Sequence, residues 1–301
     1  RILKKQKMKK NDSLVQYFLE RKSLINKSFI LIVISLLLVL ILNQNYNKDP
    51  FIAKLYLEGI INSESNFIEK INQVKENENL KALLIVINSP GGTFVSSKEI
   101  YDSLKLFDEK VPIAVYMKEV ATSGAYLASL GADKIFANTG TITGSIGVIL
   151  QTADITVLLD KIGVNPLVIK SGDLKAVPNL VEKTSNFQIE YVKNVVLLMQ
   201  KEFSKIVNLE RKISIKNQEI VSDGRIFTSN EAKRIDLIDE VGLEEDALDW
   251  LKKKAGLDDK IKIIDYAKSD NLFDFLNLKF LKKFNNVNLK LTDGILAIWT
   301  P

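Results

Sequence analysis

Six consecutive apolar residues, Ala82–Ile87 (ALLIVI), constrain this chain more than any other stretch. A strand with one wet face would alternate polar and apolar residues. A solid run of this length fits a strand covered on both faces, as in a parallel sheet sandwiched between helices. The run leads into Asn88-Ser89-Pro90-Gly91-Gly92, a composition that signals a turn. Phe51–Ile61 reads as extended, and Ile68, Ile71 and Val74 follow at helical spacing. Beyond the ALLIVI run, Ile100, Leu104 and Phe107 share a helix face, Pro112–Met117 is strand-like, Gly124–Leu130 is a short helix and Asp133–Ala137 a strand. Ile155–Ile162 is helical and Pro166–Ile169 extended, while Val192, Val195, Met199, Phe203 and Ile206 mark an amphipathic helix over 187–209. No internal repeat is present. The alternation predicts an α/β domain over 51–267 with parallel strands and right-handed crossovers.

The two ends differ from this body. Nine of the first 27 residues are Lys or Arg, opposed only by Asp12 and Glu20, so the +5 net charge describes a basic arm and gives no case for a nucleic-acid partner. Phe29 to Leu42 is apolar except for Ser35. That core is shorter than the roughly 20 residues of an ordinary span, but Ser28, Asn43 and Tyr46 extend it into the interfaces and Lys27 can snorkel. A core helix would carry a polar face, and a cleaved leader would need small residues at a cleavage site, which 43–50 does not offer. The expectation is a single transmembrane anchor over 28–46, preceded by a cytoplasmic arm over 1–27; the basic flank places the domain after it on the other side of the membrane. The chain starts with Arg1, and Met8 is a candidate initiator. Residues 268–301 interleave Phe and Leu with Lys and read as an amphipathic tail, packing on its own domain or a neighbour, or lying on a membrane surface.

Two absences narrow the chemistry. The chain has no Cys, which removes thiol catalysis, disulfides and thiolate metal sites. It has no His, which removes Ser–His–Asp triads and imidazole metal sites. Proton transfer near neutral pH then falls to Lys, Asp, Glu, Tyr or water.

Two serines are flanked by glycine close together: Ser123 in Ala121-Thr122-Ser123-Gly124-Ala125, and Ser145 in Thr143-Gly144-Ser145-Ile146-Gly147. A serine entering a helix is ordinarily an N-cap, although free N–H groups there also suit a nucleophile. Gly91 and Gly92 would let backbone amides approach a ligand. The pattern is not a Walker A loop, a dinucleotide fingerprint or a GxSxG elbow. Without His, a serine nucleophile needs another base, and a buried lysine can serve. Lys175, in KSGDLKA (170–176), is one of 42 basic residues, and spacing alone does not select it.

Five stretches, NSPGG (88–92), ATSGAYLASLGADKIFA (121–137), TITGSIGVI (141–149), KSGDLKA (170–176) and SDGRIFTSNEAKRIDLIDEVG (222–242), occur in the order seen in the signal peptide peptidase A family. Residues 51 to about 251 resemble that family. The resemblance implies a Clp protease/crotonase-like fold and a serine endopeptidase with Ser123 as nucleophile and Lys175 as general base. It implies that Ser145 orients the lysine amine and that the amides of Gly92 and Gly124 form the oxyanion hole. It further implies no cofactor and no metal, with remnant signal peptides as substrates. It also implies a place in the cytoplasmic membrane and a homo-oligomer in which Ser123 and Lys175 come from different subunits. One position departs from the family's A-S-G-G: Ala125 stands where glycine is usual, which suits helix and not a positive φ. Two other classes stand beside this reading: an acyl-CoA hydratase or isomerase of the same superfold, and a catalytically inert scaffold.

Overall fold

A computed structural model describes residues 29–35, 49–266 and 296–298, and divides the chain into two units, residues 1–49 and 50–301. In the first, residues 29–35 are helical. The expected anchor over 28–46 otherwise lies outside the described residues, as do the arm and, apart from 296–298, the tail. Among the described residues no helix is long and apolar enough to cross a membrane.

The second unit is a mixed α/β sheet. Its strands are β1 (Phe51–Ile61), β2 (Leu80–Thr93), β3 (Ile113–Thr122), β4 (Lys134–Ala137), β5 (Ile142–Gly144), β6 (Ile226–Thr228), β7 (Glu240–Val241), β8 (Lys262–Asp265) and β9 (Leu296–Ile298). The main path runs β6-β5-β3-β2-β1-β8, with β4 bridging β3 and β7. The neighbours of β1, β2 and β3 along this path are parallel, and antiparallel pairs occur at β5–β6 and β2–β9.

The ALLIVI run behaves as its composition demands. Leu83, Ile85 and Ile87 enter the larger core, and Ala82, Leu84 and Val86 enter a second core on the opposite face. That second face is covered by α8 (Glu244–Ala255), whose Ala247 and Leu251 are buried and whose chain ends at Gly256 in the left-handed region. The larger core is closed by α1 (Phe67–Lys75), α2 (Phe94–Lys105), α3 (Gly124–Ser129) and the inner end of α5 (Asn186–Glu210). The shorter helices α4 (Thr156–Lys161), α6 (Ile215–Val221) and α7 (Ser229–Arg234) complete the set.

Residues 88–92 form no turn. β2 continues through them to Thr93, with register shifts against both neighbours, between Glu58 and Ile60 on β1 and between Ile87 and Ser89 on β2. Side chains hold this irregular stretch in place. Asn88 Oδ1 accepts from Val120 N at 3.2 Å, and Ser89 Oγ donates to Gly59 O at 2.6 Å while accepting from Gly91 N at 3.1 Å. Turn-forming residues thus build a bulged strand, because their polar side chains supply the hydrogen bonds the shifted ladder lacks.

α5 starts at a capping box, Ser185 with Gln188, but only Phe203, Ile206 and Val207 are buried, all in its last two turns. Between Ile149 and Glu202 no side chain is buried in this chain. Phe203 is fully buried and meets Phe94 edge-on at 6.3 Å between centroids. Truncation to Phe203→Ala should cost about 3–5 kcal/mol, read as a lower urea midpoint at unchanged slope.

Candidate active site

The parallel register of β3 and β5 pairs Thr122 with Gly144, so Ser123 and Ser145, the next residue of each strand, leave the sheet side by side. Ser123 sits at φ 54°, ψ −118° and Ser145 at φ 51°. These are positive-φ conformations that cost a non-glycine residue about 1–3 kcal/mol. The surroundings enforce them: Ser123 N donates to Gly144 O at 2.7 Å, and Ser145 N to Arg225 O at 2.8 Å. Gly144 between them, at φ 83°, has no room for a side chain, since a Cβ would lie 2.6 Å from Phe227 Cδ2.

Ser123 does not act as a helix cap. Its side chain makes no capping bond to α3, and its hydroxyl reaches instead toward Gly147 O at 3.4 Å. The residue is 1% exposed, and Ser145 is 8% exposed. A serine on a strained strand-to-helix turn, with its oxygen free of the helix, is built like the nucleophile of other hydrolases. Ala125 lies in α3, buried and without a positive φ, so alanine is suited to the position where glycine was expected.

Gly92 lies opposite Ile61 in the β1–β2 register, where a Cβ would fall 1.8 Å from Ile61 O. Thr122 Oγ1 donates to Pro90 O at 3.2 Å and ties this stretch to the residue before Ser123. Where β3 has diverged from β2, β9 pairs antiparallel with Gly91, Gly92 and Thr93. The edge beside Gly92 therefore accepts an extended segment.

Lys175 stands apart from the serines. It is exposed, with its N–H donating to Gly172 O at 3.0 Å, and no hydrogen bond among the described residues joins its amine to Ser123 or Ser145. Its segment is organised locally: Lys170 pairs with Glu182 at 2.5 Å, Gln188 Nε2 donates to Asp173 O at 2.6 Å, and Ala176 holds φ 55°. One chain thus brings Ser123, Ser145, Gly124 and Gly92 to the ends of β2, β3 and β5 and leaves Lys175 outside. Among the described residues no cluster of acidic side chains could hold a metal ion.

Sequence reasoning missed two residues here. Asp223 accepts from Arg225 at 2.5 and 2.8 Å, and this pairing holds its carboxyl below the usual range. Gln200 Nε2 donates to Ile146 O and Ser222 O at 3.1 and 3.0 Å, joining the Ser145 loop to the turn before β6. A polar residue on the inner side of the apolar stripe of α5 was the available signal.

The model of Peptidase family S49 matches residues 105–258, about half of the chain. The chain belongs to that family. A Synechocystis protein is 36% identical over 214 residues, 70% of this chain and 77% of its own. An Enterococcus faecium protein is 36% identical over 205 residues, 68% of this chain and 59% of its own. Both carry provisional protease names, the second that of a signal peptide peptidase SppA. A solved Listeria monocytogenes ClpP1 aligns with TM-score 0.43 and 19% identity over 65% of this chain and 94% of that one. The protein is thus a serine peptidase of the SppA type.

Three substitutions test the backbone in and around the site. Gly92→Ala should destabilise the fold by about 3 kcal/mol or more, through overpacking against strand backbone. Gly172→Ala, in open space, should leave the melting temperature within about 2 °C. Ala125→Gly should lower stability by about 1 kcal/mol without abolishing peptidase activity; loss of activity would show that the helix start needs alanine for the chemistry itself.

Proposed function

We propose that the protein is a membrane-anchored endopeptidase with a Clp protease/crotonase-like fold, that Ser123 and Lys175 form its catalytic dyad, and that it degrades remnant signal peptides. The observation that carries this reading is the Ser123 backbone, strained and without a capping role. A merely structural serine would gain nothing from that conformation, so an inert scaffold fits poorly. No arrangement among the described residues favours acyl-CoA chemistry.

In this reading the neutral Lys175 amine takes the Ser123 hydroxyl proton as Oγ attacks the peptide carbonyl carbon. The amides of Gly92 and Gly124 accommodate the oxyanion, each contributing about 3 kcal/mol. As the tetrahedral intermediate collapses, the C–N bond breaks and the lysine returns the proton to the leaving amine. Water, deprotonated by the same lysine, then cleaves the acyl-enzyme and regenerates Ser123. The substrate pairs as an extended strand along Gly91–Thr93 in place of β9, which takes that edge in this structure.

A dyad shared between subunits is supported by the exposure of Lys175 and the lack of buried side chains from 149 to 202. Large apolar residues there, including Leu158, Ile162, Leu167, Ile169, Phe187 and Leu198, are more than half exposed, as expected of a surface covered by another copy. Burial at such an interface would also disfavour the charged amine and let a neutral base exist. The anchor over 28–46 would hold the peptidase domain next to the bilayer, outside the cytoplasm, where severed signal peptides remain.

Ser123→Ala and Lys175→Ala should each lower cleavage of a signal-peptide substrate on the order of 10³-fold or more. Full activity in either variant sinks the dyad. Mixed oligomers of the two inactive variants should recover part of the activity, because some interfaces then pair an intact serine with an intact lysine. Failure to recover, with mixed assembly confirmed, would place both residues of a working site in one chain.

A further inference from the structure

Ala176 directly follows Lys175 and holds φ 55°. That conformation costs an alanine about 1–3 kcal/mol and persists only where the surroundings enforce it. Packing does not enforce it here, because Ala176 is exposed. Hydrogen bonds do. Asn179 Nδ2 donates to Ala176 O at 2.9 Å and to Glu182 Oε2 at 2.5 Å, and Asn179 Oδ1 accepts from Val181 N at 3.0 Å. The amide cannot be reversed, since its nitrogen faces two acceptors and its oxygen a donor. Glu182 is held in turn by Lys170 at 2.5 Å. Lys170 first, and Asn179 after it, keep the Glu182 carboxyl below the usual range, so it stays ionised.

These bonds bracket Lys175. The peptide before the lysine is fixed by Lys175 N donating to Gly172 O at 3.0 Å, and the peptide after Ala176 by the Asn179 bond. Lys175 and Ala176 are all that lies between the two fixed points, so the backbone sets the direction in which the lysine leaves the chain. The loop is also tied to the core. Gln188, in the first turn of α5, donates to Asp173 O at 2.6 Å and accepts from Ser185 N at 2.9 Å, and the far end of α5 buries Phe203, Ile206 and Val207. The Lys175 side chain is exposed and takes no part in this network. A connector with no further task would gain by relaxing Ala176. Strain kept on an exposed loop, beside a cation left outside the network, fits a loop that presents that cation to another chain.

We propose that Asn179 is a positioning residue of the dyad: through Ala176 it holds the backbone that presents Lys175 to the Ser123 of a neighbouring subunit. The proposal rests on the shared-dyad reading above. A misplacement of about 1 Å can cost about 100-fold in rate, and a long lysine side chain on a loose loop would be misplaced most of the time. Asn179→Asp removes the clamp while keeping the acceptor for Val181 N, because it sets a carboxylate against Ala176 O and Glu182. Its effect should be confined to the chain that supplies the lysine.

The measurement is hydrolysis of a fluorogenic signal peptide by mixed oligomers of full-length chains, with assembly size and thermal melts of each mixture. Ser123→Ala chains supply the lysine and Lys175→Ala chains supply the serine. Asn179→Asp added to the lysine-supplying chain should lower kcat about 10- to 100-fold and leave KM within about twofold. Added to the serine-supplying chain, whose own lysine is already gone, it should change kcat by less than about twofold. A role in folding or assembly would act from either chain, so equal losses from both placements, or no loss from either, overturn the proposal. Ala176→Val, a β-branched residue forced toward negative φ at an exposed position, should show the same asymmetry and decides alone if Asn179→Asp chains do not assemble. If the mixture without Asn179→Asp recovers no activity although mixed assembly is confirmed, the shared dyad fails and this proposal with it. Recovery without asymmetry defeats only the positioning role.

Discussion

The positive-φ backbone of Ser123 depends on the hydrogen bond from its N–H to Gly144 O. That bond exists because β3 and β5 run parallel in a register that sets Thr122 beside Gly144. The register in turn needs a bare Gly144, since Phe227 fills the space a Cβ would take. The strain at one residue is therefore maintained by the packing of three strands. The core behind them supplies the stability to hold it, with β2 buried on both faces.

The same logic accounts for the bulged end of β2. Once its ladder to β3 slips at Ser89, backbone groups need new partners. Asn88 and Ser89 supply some of them with side chains, and β9 takes the edge at Gly91–Thr93. A regular strand fully paired to β3 would have closed it.

The outer part of the domain obeys different rules. From Ile149 to Glu202 the chain carries ordered local contacts, such as the Lys170–Glu182 pair and the Ser185 capping box, but no buried side chain. Local hydrogen bonds shape the segment, while its apolar residues remain uncovered within one chain. A lysine base placed on such a segment would acquire its low-dielectric surroundings only when something packs against it. Reactivity would then be coupled to assembly.

By itself, the sequence determined the alternation of elements, the doubly buried strand, the α5 stripe and the exclusion of His and Cys chemistry. Each follows from residue type and local period, which do not depend on distant contacts. The choice of Ser123, Ser145, Gly92, Gly124 and Lys175 came from resemblance, because a serine before a helix looks like an N-cap until its φ and its hydrogen bonds are known. The tertiary structure alone decided that Ser123 caps nothing, that NSPGG is strand and not turn, and that Gln200 Oε1 is buried without a partner. These are matters of register and of which groups lie within about 3 Å of one another, set by strands far apart in the chain.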